Sequence, residues 1–259
     1  MTDRVLGFEG IHNFRDYGGY DTPSGRIRNR LLWRSGQHGE ATPADLANVA
    51  GLDITTVIDL RGDTERRISP CLRHDGFAGM VLFAPGETAG SELAPHEEAG
   101  AGIATADEAR AAMKRLYTTM PYRDVLVRSL RLYFEALETR EGASLLHCLA
   151  GKDRTGVAVA LLHRLLGVND DDVMADYLLT NTAGNQARRI ASAAGSVRER
   201  YGAQMSDEAV IALMSVEADY LHTAFAAIRE QHGDVASYAE QVLGVDAARR
   251  DRIAARLIG

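Results

Sequence analysis

The sequence predicts an α/β fold, a central and mostly parallel sheet flanked by helices, with a further helical portion at the C-terminal end. Three observations carry this. Short β-branched or apolar runs alternate with helical patterns over the first two-thirds of the chain, the order that builds a parallel sheet. One such run leads through a glycine turn straight into an apolar helix, over His147–Gly156. Beyond Val168 the remaining pattern is helical.

Leu31–Ser35 reads as a short strand, and Thr42-Pro43-Ala44-Asp45 opens a helix with Thr as N-cap and Pro at the first helical position. Gly51 ends that helix. Thr55–Leu60 has the β-branched composition of a buried strand, and Met80–Ala84 reads as another. Residues 85–107 show no period, which suits a lid or binding loop, and closure over a site is an open question as far as residue 120. Leu126, Leu130, Tyr133, Phe134 and Leu137 share one helix face. Ala143–His147 is a strand, and Arg154–Leu166 is an apolar helix with Gly167 just past its end. Asp170–Thr180 forms a helix. Val210, Leu213, Met214, Leu221, Phe225 and Ile228 mark the apolar face of one more. Residues 1–259 are read as one domain, with a core over 8–185 and the helical 186–259 packed on it, over the mouth of any site.

Composition narrows the class. With 259 residues, 46% apolar and 25% charged, disorder, collagen-like repeats and disulfide scaffolds are excluded. The net charge of −7 argues against a general nucleic-acid binder but leaves room for a local anion site. Cys71 and Cys148 are the only cysteines, too few for a disulfide framework. The apolar stretch Val157–Val168 is shorter than the ~20 residues of a membrane span, and the N-terminus lacks a signal-peptide pattern. No integral membrane segment and a cytoplasmic location are expected, with export by a route lacking a signal peptide left open. The eight histidines show no zinc-site spacing, and the Gly151-Lys152 pair lacks the following Ser or Thr of a nucleotide P-loop. No metal or cofactor is expected.

The chemistry concentrates in His147-Cys148-Leu149-Ala150-Gly151-Lys152-Asp153-Arg154-Thr155-Gly156. A strand delivers Cys148 to a loop that runs into a helix. Amides converging at a helix N-terminus make an anion site, and such settings lower thiol pKa values to about 3.5–7.5. Arg154, six residues after Cys148, can return its planar fork to the anion that Leu149, Ala150, Gly151, Lys152 and Asp153 encircle. Cys148 then serves as nucleophile towards phosphorus, and Thr155 steadies the departing thiolate.

This ten-residue loop resembles that of cysteine-dependent protein tyrosine phosphatases, and more narrowly the atypical bacterial tyrosine/lipid phosphatases. Asn13-Phe14-Arg15-Asp16, Leu32-Trp33-Arg34-Ser35, Asp59-Leu60-Arg61 and Ala175-Asp176-Tyr177-Leu178 with Asn181 are similar to that group's patterns. The resemblance implies a phosphatase fold and a phosphocysteine intermediate. It also implies phosphotyrosine proteins as substrates, with dual-specificity or phosphoinositide activity in addition, and phosphate or another oxyanion in the loop.

In such phosphatases an aspartate on a separate loop protonates the leaving oxygen, but Phe83–Glu87 offers no Asp here. Asp153 is the first choice for the acid, with Asp59 and Glu87 next. Lys152 is read as a phosphate or head-group contact, and His147 as a residue that shapes the loop. Arg15, Asp16 and Arg61 are read as a network beneath it. Cys71 is read as an ordinary residue. A small-molecule phosphatase and a non-catalytic phosphate-binding module are the alternatives.

Overall fold

The computed structural model describes residues 4–88, 102–184, 186–201 and 204–259. Its central sheet has five strands in the order β1-β4-β7-β5-β6: β1 Arg15–Asp16, β4 Leu32–Ser35, β5 Ile54–Asp59, β6 Met80–Leu82 and β7 Ala143–His147. The four strands β4, β7, β5 and β6 are parallel, and β1 closes one edge antiparallel. A two-stranded hairpin, β2 Asp21–Thr22 with β3 Gly25–Arg26, stands apart. The chain end is tied to it through paired bonds between Arg26 and Gly259.

Eleven α-helices fall among the described residues: α1 Pro43–Ala50, α2 Asp63–Ile68, α3 Ala106–Thr119, α4 Asp124–Thr139, α5 Asp153–Leu165, α6 Asp170–Leu178, α7 Gln186–Tyr201, α8 Asp207–Met214, α9 Ala218–His232, α10 Val235–Tyr238 and α11 Ala247–Leu257. Strand alternation sorts the core. Trp33, Val57 and Leu145 pack on one face with Phe14 and Val49, while Leu32, Ile58 and Leu146 face the larger cluster that holds α4 and α5. From Asp153 to His163, α5 is buried on every side, as a helix under other helices must be.

The expected mostly parallel sheet with flanking helices is therefore the observed architecture, and the capped start at Thr42 is a full capping box with Asp45. Two elements differ from the sequence pattern. A helix, α3, begins inside the stretch that lacked a clear period. It is fixed by a capping box between Thr105 and Glu108 and buries Ala109, Met113, Leu116 and Tyr117. The unpatterned loop itself lies mostly at 89–101, outside the described residues.

The single helix read over Val210–Ile228 is two, α8 and α9, separated by an extended Ser215. The break is held from elsewhere. Asn181 Nδ2 donates to the Val216 carbonyl at 2.8 Å and its Oδ1 accepts the Val216 N–H at 2.9 Å, so one side chain mimics a strand partner. Among the described residues, no helix is long and apolar enough to cross a membrane.

Candidate active site

The C-terminal ends of three parallel strands meet at one edge, because His147 is in register with Ser35 of β4 and Asp59 of β5. Ligands of open α/β sheets bind at such ends. Here β7 hands Cys148 to the loop and the loop enters α5. Gly151 has φ +68, and a Cβ there would lie 2.4 Å from the Ser35 carbonyl oxygen, so the turn admits only glycine.

The loop's carbonyls are turned into the protein. Gly151 O accepts from Asn13 Nδ2 at 2.7 Å and Arg34 Nη2 at 3.0 Å. Leu149 O accepts from the Gln37 N–H at 3.0 Å, and Lys152 O from the Gly156 N–H at 2.8 Å. No backbone N–H from Leu149 through Arg154 donates to any described residue. With carbonyls committed outward and amides left uncommitted at a helix N-terminus, the loop is built to hold an anion.

Arg154 is buried and already oriented. Its Nη1 donates to Glu65 Oε2 at 2.5 Å, to Thr88 Oγ1 at 2.8 Å and to the Leu60 carbonyl at 3.2 Å, while Nη2 donates to Glu65 Oε1 at 2.7 Å. The Nε–H and the second Nη2–H donate to no described residue and form the edge suited to two phosphoryl oxygens. Burial alone would lower the pKa of this guanidinium, but the Glu65 carboxylate outweighs burial and holds it above its ordinary value. Cys148 is itself buried and unbridged. Charges that act on it come from Arg154, Lys152 and Arg189.

Beneath the loop, Asp176 of α6 joins two arginines. Arg34 Nη1 donates to its Oδ2 at 2.6 Å, and Arg15 approaches Oδ1 at 3.4 Å while donating to the Asp176 carbonyl at 2.8 Å. Arg15 also bonds the Asn13 side chain, closing the circuit to Gly151. Burial raises the Asp176 pKa, but Arg15 and Arg34 outweigh it and hold the carboxyl far below the usual range. Burial and the neighbouring Arg34 push Arg15 down to about 10, so it stays charged at neutral pH. Two cations against one carboxylate leave net positive charge under the anion site.

The other residues singled out from the sequence fall into distinct places. Lys152 donates its ammonium to the Leu213 carbonyl, and to the Ser215 carbonyl at 3.3 Å, with Asp153 Oδ1 at 3.5 Å. The side chain thus pins the end of α8 to the loop and is not turned to solvent. Asp153 Oδ1 accepts from Tyr117 Oη at 2.8 Å, and Tyr117 Oη in turn accepts from Tyr177. Asp59 is gripped by Arg61, with Nε at 2.9 Å from Oδ1 and Nη2 at 2.7 Å from Oδ2. Burial raises the Asp59 pKa, but His147 and Arg61 outweigh it and hold the carboxyl well below the usual range.

Glu87 Oε1 accepts the Thr64 N–H at 2.8 Å at the start of α2. The Thr155 hydroxyl is buried with no hydrogen-bond partner among the described residues. His147 Nδ1 lies 3.3 Å from the Cys148 carbonyl, and burial pushes its pKa down to about 4. Asp16 does not join Arg15; it accepts from the Gly18 and Arg30 N–H groups at 2.7 and 2.6 Å.

A cavity of about 500 Å³ opens beside the loop, lined by Leu149 together with His12, Glu9, Glu40, Arg188 and Arg189. The two arginines belong to α7, so one helix of the C-terminal portion lines this cavity. The reading of single residues missed Glu65, Tyr117 and Arg189. Glu65 carried one signal, the Gly62-x-x-Glu65 spacing of a capping box, since its Oε2 also accepts the Gly62 N–H at 2.9 Å.

A model of the tyrosine phosphatase family matches residues 6–259. A Cupriavidus necator protein named "Putative tyrosine-protein phosphatase" is 33% identical over 247 residues, covering 94% of this chain and 86% of that one. The "Triple specificity protein phosphatase PtpB" of Mycobacterium tuberculosis is 29% identical over 276 residues, covering 96% and 98%. The crystal structure of TpbA from P. aeruginosa aligns over 82% of this chain and 98% of its own, with a TM-score of 0.34 and 15% identity. The family model spans nearly the whole chain, loop and supporting motifs included, and the chain belongs to the tyrosine phosphatase family, as an enzyme of the protein-tyrosine phosphatase class.

Proposed function

We propose that the chain hydrolyses phosphomonoesters through a phosphocysteine on Cys148. The supporting observation is the loop's polarity: the carbonyls of Leu149, Gly151 and Lys152 are bonded into the surrounding protein, while the amides of Leu149–Arg154 and one edge of Arg154 donate to no described residue. An anion with three equatorial oxygens satisfies those donors together, and it places phosphorus over Cys148.

In the first step the Cys148 thiolate attacks phosphorus and the bond to the leaving oxygen breaks. That oxygen takes a proton from Asp153. Asp153 is favoured because Tyr117 holds Oδ1 and leaves Oδ2 without a hydrogen bond, whereas Asp59 is spent on Arg61 and Glu87 on the Thr64 N–H. In the second step water attacks phosphorus, its proton passes to Asp153, and the S–P bond breaks. Thr155, with its hydroxyl unpartnered, donates to the departing thiolate. Charge stabilisation comes from loop amides and Arg154, so the step needs no metal.

The substrates proposed are phosphotyrosine proteins first, with phosphoserine/threonine proteins and phosphoinositides in addition. The M. tuberculosis relative is named a triple specificity phosphatase, which supports activity on more than one substrate class. The roomy cavity next to Leu149 is lined by Arg188 and Arg189 together with Glu9 and Glu40, a mixed lining that suits a peptide surface around the scissile group. The test is phosphate release in EDTA from a phosphotyrosine peptide, a phosphoserine peptide and a phosphoinositide, with Cys148→Ser as control. Release lost in the variant supports the reading. Absence of release from all three substrates overturns it.

A further inference from the structure

Three side chains behind the catalytic loop play no part in the proposed reaction, yet they converge. Asp59 at the end of β5, His147 at the end of β7, and Cys71 on the irregular segment after α2 bring one carboxylate oxygen, one ring nitrogen and one sulfur within 4.8 Å of each other.

The contact between the first two is unsatisfied. His147 Nε2 is buried, makes no hydrogen bond to any described residue, and faces Asp59 Oδ2 at 3.8 Å, too far for one. Its other nitrogen, Nδ1, lies 3.3 Å from the Cys148 carbonyl, a group that only accepts. With the ring proton on Nδ1, the Nε2 lone pair looks at a carboxylate. Two acceptors then face each other in the interior, an arrangement that costs energy unless a cation lies between them.

We propose that Asp59, Cys71 and His147 form a binding site for a soft divalent cation, with zinc the fitting ion. The donor set is one thiolate, one imidazole and one carboxylate, which zinc takes with bonds of about 2.0–2.3 Å and a water in the fourth position. Ligand atoms of such a tetrahedron lie about 3.3–3.7 Å apart. The His147–Asp59 separation is already near that, so only Cys71 has to close in. Cys71 is half-buried on a segment outside helix and strand, so its sulfur can be reached from solvent.

The Cys71 Sγ already accepts the His38 N–H at 3.3 Å, a bond that a metal-bound thiolate keeps. Asp59 Oδ1 keeps the Arg61 N–H and Nε–H and Oδ2 keeps Nη2, while the longer, shared Nε contact to Oδ2 at 3.2 Å gives way to the ion. Binding releases the Cys71 thiol proton to solvent.

Arg61 and Arg73 also face the His147 ring, and their charge opposes any cation there. That penalty selects against magnesium and calcium, which bind through charge and oxygen ligands. It favours an ion held by sulfur and nitrogen. The ion would clamp His147, the residue next to Cys148, and so lies where it can alter the loop without entering it.

The test uses the full chain carrying Cys148→Ser, which removes the other thiol and makes the outcome independent of the phosphatase reading. Cobalt(II) added to that protein should give thiolate-to-cobalt charge-transfer absorption that saturates at one equivalent and is displaced by zinc. Zinc affinity, measured by competition with a chromogenic chelator, should fall at least about tenfold on adding Cys71→Ser, a loss of the size seen when a ligand's support is removed. It should rise on adding Arg73→Ala. No charge-transfer band with Cys71 intact, or a zinc affinity indifferent to Cys71→Ser, overturns the proposal.

Discussion

Glu65 holds Arg154 by both of its oxygens, at 2.5 and 2.7 Å, and thereby fixes which edge of the guanidinium faces the loop. The pair links two helix starts, since Glu65 also caps α2 through the Gly62 N–H. Orientation of the arginine is thus prepared before any substrate arrives, which is where a preorganised site gains its rate.

Replacing Glu65 with Gln keeps the shape and one acceptor but loses the charge. We expect kcat to fall by about tenfold to a hundredfold with KM less affected, the pattern of a group that matters mainly in the transition state. Thermal stability should also drop, because a buried arginine loses its counter-charge. Steady-state kinetics beside a melting curve check this, and an unchanged kcat in a folded variant contradicts it.

The acid assignment predicts a dependence on the leaving group. Asp153→Asn should slow hydrolysis of an alkyl phosphate or phosphoserine peptide strongly, and that of p-nitrophenyl phosphate far less, because a good leaving oxygen needs no proton. Equal slowing of both would assign Asp153 to positioning through its bond with Tyr117.

Lys152 separates an anion contact from a structural anchor. Its ammonium bonds the Leu213 and Ser215 carbonyls at the end of α8. Lys152→Met should therefore cost about 1–3 kcal/mol of stability, the price of leaving buried acceptors unpaired. Inhibition by inorganic phosphate should change little. Loss of phosphate inhibition without loss of stability would restore the direct contact read from the sequence.

Acid should destabilise the fold early. Burial lowers the pKa of His12 to about 3, and lowers those of His38 and His163 from the ordinary 6.5. As pH falls below 6.5 the unfolded chain takes up protons that the folded chain refuses, so stability falls with falling pH. Each of the three contributes up to about 1.4 kcal/mol per pH unit until its folded pKa is reached. Asp176, held below 3.8 by its arginines, adds a loss only beneath that value. Urea unfolding from pH 8 to pH 5 should show a plateau above about 7 and a steady decline below it. A flat profile contradicts the burial of these rings as neutral groups.

Much of this was legible in the sequence because it is local. The strand at 143–147 and the glycine at 151 are read from a few adjacent residues, and the observed strand is Ala143–His147. Asn13, Arg15, Arg34 and Asp176 sit in the motifs that carry the family resemblance. What the sequence could not show is that they converge on a single carbonyl, that of Gly151, either directly or through one another. Glu65 stayed hidden for the same reason, because its partner lies 89 positions away. Lys152 was misleading in a different way. A lysine inside an anion loop suggests phosphate, and only the position of α8 shows where its ammonium goes. The split between α8 and α9 likewise depends on Asn181, whose bonds to Val216 span 35 positions.

The most direct test of the account is to quench the protein during turnover of a phosphotyrosine peptide and map phosphoryl adducts by mass spectrometry. The account predicts a phosphoryl mass on the peptide containing Cys148, enriched when the second step is slowed by Thr155→Ala and absent in Cys148→Ser. Phosphate release at the wild-type rate from Cys148→Ser, or an adduct on a residue outside the loop, would contradict it.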